Sequence, residues 1–326
     1  MVVKSGEPRY ARGTMQQRKL GQSPLAVTPL SLGGNVFGWT ADEPTSFAVL
    51  DAFVALGGNA IDTADGYSYW VPGHQGGESE TVIGRWLKRR GRRDDVIIAT
   101  KVGWWEKRKG LKRDTIVEGC EDSLRRLGVE MIDLYWLHRD DEQTPPAEYL
   151  GALDKLVRAG KVRAVGASNF GVPRFKASLG ESKRKSFVSF VAQQPEYSLM
   201  NRGIEKELMP LCASEGVAIM PYFPLASGFL TGKYRTSADK TKSVRGGSAV
   251  KHLDGNGKPV LAALDAVAAR HGATCAQVAL AWVMTKPAIA APIASATSVA
   301  QITELMGALE LTLSTDDVAE LDKASA

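Results

Sequence analysis

A (β/α)8 TIM barrel with an N-terminal β-hairpin and extra C-terminal helices is the fold class this sequence predicts. Three observations point to it. Short apolar runs alternate with amphipathic helical stretches eight times along the 326 residues. The runs are almost continuously apolar, as strands of a parallel sheet covered on both faces are. No linker interrupts the alternation, so residues 1–326 read as a single domain. A doubly wound sheet is the competing arrangement, but it normally carries a glycine fingerprint after its first strand. Only Leu32-Gly33-Gly34-Asn35 stands there, not G-x-G-x-x-G.

The elements follow in order. Residues 14–31 read as a hairpin, because MQQRKLG and LAVTPLSLG flank the turn-forming Gly21-Gln22-Ser23-Pro24. Strand-like runs lie near 29–33, 59–63, 95–101, 131–137, 162–167, 188–194, 217–222 and 288–293. Helical spacing marks 44–57, 78–90, 113–127, 146–160, 172–180, 204–215, 259–271 with 274–285, and 298–309. Two of these carry clear boundary signals. Asp114-Thr115 precedes IVEGCEDSLRRLG, which ends in glycine, and Pro145-Pro146 opens AEYLGALDKLVRAG, which ends at Gly160. The longest irregular stretch is the polar, glycine-containing 231–258, which follows the seventh run. In a barrel it lies over the active face, where long loops serve as lids or binding segments.

Composition excludes several classes. The net charge of +5 is modest for this length. The basic run Arg85 to Arg93 reads as a solvated helix end rather than a nucleic-acid surface, since no aromatic-and-glycine pattern accompanies it. Cys120, Cys212 and Cys275 have no paired spacing, which argues against disulfides and against zinc. The N-terminus lacks a signal-peptide core, and no run approaches the ~20 apolar residues of a membrane span. A cytoplasmic protein with no membrane, metal or nucleic-acid partner is expected; its oligomeric state is left open.

Chemistry gathers where the strand-like runs end. Asp62 and Tyr67 follow Asn59-Ala60-Ile61, Lys101 closes DDVIIATKVG, and His138 closes MIDLYWLHRD. Parallel strands deliver all four side chains to one end of one sheet, where α/β folds place their sites. Such a set suits proton transfer to a carbonyl oxygen. Tyr67 is the natural acid, Lys101 favours its phenolate, Asp62 holds Lys101, and His138 orients the carbonyl. Singly, each has an ordinary structural reading: an ion pair, a loop aromatic, a core histidine.

GGNAIDTADGY, GGESETVIGRWL, ATKVG, LYWLH, VGASNF, QPEYSLMNR, PYFPLASGFLTGKY and PIASATS resemble, in order, the signature segments of the aldo-keto reductases. The resemblance runs from about residue 14 to residue 323, and reaches the branch that also contains the potassium-channel β subunits. It implies a barrel that binds a nicotinamide cofactor and interconverts carbonyl and alcohol, with Asp62, Tyr67, Lys101 and His138 as the catalytic tetrad. It implies cofactor contacts from Ser168, Asn169 and Gln194 to the carboxamide, and from Tyr222 to the nicotinamide ring. Phe223 would face the other way if the strand alternates. Pro224, Leu225, Ala226, Ser227, Gly228 and Leu230, with Lys233, would wrap the pyrophosphate. Gly33, Ile293, Ser295, Thr297, Ser298 and Gln301 complete the set, the last segment holding the adenosine 2′-phosphate. Many relatives carry Lys or Arg in that segment and this chain does not, so Lys233 or a basic residue of 231–258 would supply the charge. NADP(H) is the preferred cofactor and NAD(H) the alternative.

Trp39 and Trp104 are the expected substrate-wall residues, with Tyr69, Trp70 and Trp105 near them on loops after strand ends. Aldehydes, keto-sugars and cyclic ketones all fit. A cofactor-binding regulatory subunit with little turnover is the second reading. A phosphate-binding lyase or isomerase is the third.

Overall fold

The computed structural model describes residues 16–326. A short hairpin comes first, β1 (Arg18–Lys19) against β2 (Ala26–Val27). The expected hairpin start at residue 14 lies outside the described residues. Its expected end at 31 is corrected: Ser31 opens β3 (Ser31–Gly33), a strand of the main sheet.

From there strands and helices alternate: α1 (Glu43–Ala55), β4 (Ala60–Asp62), α2 (Glu78–Arg90), β5 (Ile97–Val102), α3 (Arg113–Leu127) and β6 (Ile132–Leu137). Then come α4 (Pro146–Arg158), β7 (Val162–Ser168), α5 (Val172–Lys185), β8 (Phe190–Gln194), α6 (Leu208–Ser214) and β9 (Ala218–Ile219). The last part holds α7 (Gly246–Ala249), α8 (Gly257–His271), α9 (Cys275–Met284), β10 (Ile293–Ala294), α10 (Val299–Met306) and α11 (Thr315–Ala324). Strands β3 to β10 form one eight-stranded sheet in which neighbouring strands run parallel, in the order β10-β3-β4-β5-β6-β7-β8-β9. Parallel bridges Ile219↔Ile289 and Tyr222↔Ile293 join its two ends. That closure leaves no unpaired edge and is what a (β/α)8 barrel requires.

The helix ends obey local rules. Gly91 and Gly128 follow α2 and α3 in left-handed conformation and cap them, as the glycines in the sequence suggest. The basic run at the C-terminal end of α2 is taken up in ion pairs: Arg85 with Glu43, Arg89 with Asp51, Arg90 with Asp95, Arg93 with Asp133.

Two expectations change. Residues 231–258 are not irregular; they form short helical turns at Ser237–Lys242 and Val250–Asp254 around α7, and α8 begins at Gly257. Thr236 and Asp239 cap the first turn reciprocally. Helix α11 escaped the periodicity reading, although Ser314 and Asp317 make the same reciprocal cap at its start.

The core has two layers. Most buried apolar side chains lie between sheet and helices. A smaller inner cluster holds Ala60, Ala99, Leu134, Trp136, Ala164, Ala192, Ala218 and Ile293, with Leu20, Leu25 and Val27 of the hairpin segment packed against it. Alanine predominates because a closed ring of eight strands has little room inside. Trp136 is the large exception, and Gly166 on the next strand accommodates it: a Cβ there would come within 2.3 Å of the indole.

Candidate active site

Strand alternation explains which side chains reach the site. Residues two apart on a strand share a face. Asp62 lies two beyond inner Ala60, Lys101 two beyond Ala99, and His138 two beyond Trp136. Likewise Gln194 follows Ala192, and Ser168 follows Ala164 by four. All therefore project inward at the C-terminal end of the strands. There they border a cavity of about 1050 Å³, apart from Lys101, which lies fully buried behind it.

The tetrad is brought together. Lys101 Nζ donates to Asp62 Oδ2, to Thr63 O at 2.8 Å and to the Tyr67 hydroxyl at 2.8 Å. An ammonium has three donors, so each is used. The second oxygen of Asp62 accepts from Gln194 Nε2 at 3.0 Å. Tyr67 sits on the loop after β4, which the bonds Thr63 N to Ala99 O and Asp65 N to Lys101 O hold against β5. Since its oxygen accepts from Lys101, the phenolic proton is free for the cavity. His138 stands across from it, ring centroids 6.0 Å apart.

Electrostatics refine the roles. Burial raises Tyr67 above the ordinary phenol value; Lys101 opposes this without overcoming it. Burial works against the Lys101 charge, but Asp62 and Tyr67 more than offset it, so the ammonium is held above its ordinary value. Burial pushes Asp62 up, against the pull of Lys101. Burial, Lys101 and Arg139 hold His138 well below the usual imidazole value, so it is neutral. Its Nδ1 is buried without a partner, which leaves Nε2 as the ring nitrogen open to the cavity.

Asp65, two residues before Tyr67, is fully buried, and neither carboxyl oxygen has a hydrogen-bond partner. Burial, helped by Glu80 against Arg126 and Arg108, pushes this carboxyl up to about 8. A raised folded value contributes stability that is fully present below the unfolded value of ~4 and is lost as pH rises to the folded one. Asp65→Asn keeps the shape and removes the ionisation. The fall in Tm between about pH 5 and about pH 9 is expected to shrink by about 2–4 °C, read from thermal melts. An unchanged fall would show that Asp65 is already ionised near neutrality.

The remaining expected residues divide. Gly33, Ser168, Asn169, Gln194, Tyr222, Pro224, Leu225, Ser227, Gly228, Lys233, Ile293, Ser295, Thr297 and Gln301 line the cavity, as do Trp39 and Trp104. Ala226, Leu230 and Ser298 do not. Leu230 is buried in the core, Ala226 is buried beside it, and Ser298 caps α10 by accepting from Gln301 N. Asn169 does not cap the helix after β7, where Gly171 takes that place. It instead donates to His138 O and Ser168 Oγ and accepts from the Tyr222 hydroxyl. Phe223 does not face away. It has φ 53° and lines the same cavity as Tyr222, because β9 ends at Ile219 and the left-handed residue breaks the alternation.

An aromatic chain forms one wall. Trp39 packs on Trp70 at 5.6 Å, Trp70 on Tyr69 at 5.6 Å, Tyr69 on Trp104 at 5.7 Å and Trp104 on His138 at 5.2 Å. Trp105 instead packs against Gly66 and Gly76. Asn35, Arg139, Lys242 and Arg245 also line the cavity and were missed. Loop side chains carry no periodic signal, and only the basic content of 231–258 hinted at two of them. Among the described residues no His, Cys, Asp and Glu cluster is placed to hold a metal, and no helix is long and apolar enough to cross a membrane.

Comparisons with known proteins fit this geometry. The Aldo/keto reductase family model matches residues 29–326. "Protein tas" of Escherichia coli (strain K12) is 34% identical over 340 residues, covering 94% of this chain and 97% of that protein. "Uncharacterized oxidoreductase YrpG" of Bacillus subtilis (strain 168) is 32% identical over 309 residues, covering 92% of each. A "Probable voltage-gated potassium channel subunit beta" of Arabidopsis thaliana is 33% identical over 308 residues, covering 91% of this chain and 92% of that protein.

Proposed function

The chain belongs to the aldo/keto reductase family, and on that premise we propose that it is an NADP(H)-dependent oxidoreductase on a (β/α)8 barrel. It interconverts an aldehyde or ketone and the corresponding alcohol. One observation carries this reading: all three Lys101 donors are engaged, the third on the Tyr67 oxygen, so the phenol can deliver its proton only outward, to the cavity.

In the reductive direction a substrate carbonyl sits between Tyr67 and His138. The neutral imidazole donates from Nε2 and orients the carbonyl oxygen. As negative charge develops on that oxygen, Tyr67 passes it the phenolic proton. Lys101 then stabilises the phenolate, and Asp62 keeps the ammonium in place. In oxidation the phenolate takes the alcohol proton back.

The residues present fit a nicotinamide dinucleotide. Asn169 Oδ1 and the Gln194 side-chain oxygen retain acceptor capacity in the cavity, which suits the NH2 of a carboxamide. Tyr222, fixed through Asn169, offers a ring face. The left-handed run Ala226, Ser227 and Gly228 turns the backbone beside Lys233, as anion-binding loops do. Gln301 accepts from Thr297 N at 2.8 Å through its side-chain oxygen, so its NH2 remains a donor at the start of α10. When bound, NADPH supplies the hydride for the carbonyl carbon.

The test is initial rates with 4-nitrobenzaldehyde, keto-sugars and secondary alcohols, following NADPH absorbance. Absence of turnover on the whole panel, together with absence of NADPH binding, would sink the reading. NADPH is expected to bind at least ~10-fold tighter than NADH, since a charged hydrogen bond to the 2′-phosphate is worth about 1.5–3 kcal/mol. Lys233→Met should narrow the gap. Equal affinities in the parent protein would reject the NADP(H) preference. The channel-subunit relatives motivate a second reading, a cofactor-binding regulatory subunit, which NADPH binding without turnover would favour.

A further inference from the structure

Most charged groups lining the cavity are accounted for locally. Asp62 pairs with Lys101. Lys242 pairs with Asp239 at 2.8 Å and donates to Lys233 O at 2.8 Å, which keeps both lysines together. Lys233 Nζ lies 3.9 Å from where a Cβ on Gly228 would be, at the turn proposed for the cofactor phosphates. Glu304, on α10, also lines the cavity.

Two guanidinium groups are left over. Arg139 follows His138 directly at the end of β6 and bears on its charge. Arg245 lies apart from the two lysines: its guanidinium is over the Trp39 ring at 5.6 Å and over the Phe223 ring at 5.9 Å. Trp39 in turn contacts Trp70, which packs 6.1 Å from Tyr67. Among the described residues no acidic side chain is paired with either arginine. Arg245 is also partly desolvated, and Tyr67 is the ionisable group it faces. A desolvated cation with no counter-charge is costly unless a ligand supplies one. Trp70, Phe223 and Val244, all cavity-lining, expose apolar surface beside it.

We propose that the substrate is an anionic carbonyl compound: an aldehyde or ketone whose apolar or aromatic body carries a carboxylate, with the carboxylate taken by Arg245 and Arg139 and the carbonyl at Tyr67 and His138. This rests on the oxidoreductase reading above. Arg245 suits the role because its planar fork meets a carboxylate in two hydrogen bonds, and stacking between Trp39 and Phe223 limits its freedom beforehand. The aromatic wall takes the body of the molecule.

The experiment compares kcat/KM for 4-carboxybenzaldehyde and its methyl ester, with NADPH, in the parent protein, Arg245→Met and Arg139→Met. The NADPH Kd is measured alongside. The parent is expected to prefer the acid by ~10-fold or more, and added salt should shrink that preference. Arg245→Met should remove most of the preference and Arg139→Met part of it, each cutting kcat/KM for the acid further than for the ester, with the NADPH Kd unchanged. Equal use of acid and ester by the parent overturns the proposal. So does an Arg245→Met protein that keeps the acid preference but binds NADPH more weakly, because the arginine then serves the cofactor. Ester turnover without acid preference leaves the oxidoreductase reading standing, whereas loss of both activities across the aldehyde panel removes both.

Discussion

Tyr67→Phe is expected to lower kcat by ~10²–10⁴ while leaving NADPH bound, since a positioned general acid contributes about that much. The substitution removes one oxygen and keeps the ring, so its contacts with Trp70 and His138 survive. The loss to the fold is small. Lys101 keeps Asp62 and Thr63 O, and only its third N–H loses its partner. The pH profile separates a proton donor from a structural tyrosine. With Tyr67 raised above the ordinary phenol value, reduction by the parent protein should be level through neutrality and fall only in alkali. His138, held neutral, adds no limb there. The variant should keep its residual rate without the alkaline fall. Turnover within about tenfold of the parent, with the same alkaline limb, would remove Tyr67 as the acid.

The fold was legible because its signals are periodic. Helices α2 and α3 run from Glu78 to Arg90 and from Arg113 to Leu127, as spacing and the following glycines predict. The convergence of Asp62, Lys101 and His138 was legible for a related reason. A polar residue closing an apolar run, on the parity of an inward-facing Ala60, Ala99 or Trp136, has one place to go in a closed parallel sheet. Alternation failed where the backbone left the β region, at Phe223 with its positive φ. It also gave no warning that Gln194 would spend its amide on Asp62, because that pairing joins residues 132 positions apart. Arg245 was illegible for the same reason. Its direction is fixed by the turns of 237–254 and by Trp39, and none of these is periodic. The buried state of Asp65 was likewise hidden, since its neighbours Glu80, Arg108 and Arg126 come from other elements.

Lys101→Met should do more damage to the fold than the double variant Asp62→Asn/Lys101→Met, although both should be inactive. Lys101 and Asp62 are both fully or almost fully buried. Removing one partner of a buried pair strands the other charge, at a cost of about 3–5 kcal/mol. In Lys101→Met the stranded group is the Asp62 carboxylate, left with Gln194 as its remaining side-chain hydrogen bond. Its pKa must rise further, because Lys101 is the main influence opposing burial. Asp62→Asn removes that charge, so the double variant should recover about 2 kcal/mol or more of the loss in denaturant melts. Acid should rescue the single variant and not the double: a carboxyl with a raised folded value adds stability below its unfolded value and loses it as pH rises through the folded one. Catalysis should follow the opposite pattern. Without the ammonium the Tyr67 phenolate loses its main stabilising charge, so turnover should fall about as far as in Tyr67→Phe in both variants, with no recovery in the double. Equal stability of the single and double variants would show that Asp62 is already uncharged once Lys101 is gone, so that no charge is stranded. Recovery of turnover in the double variant would show that Lys101 serves the fold alone.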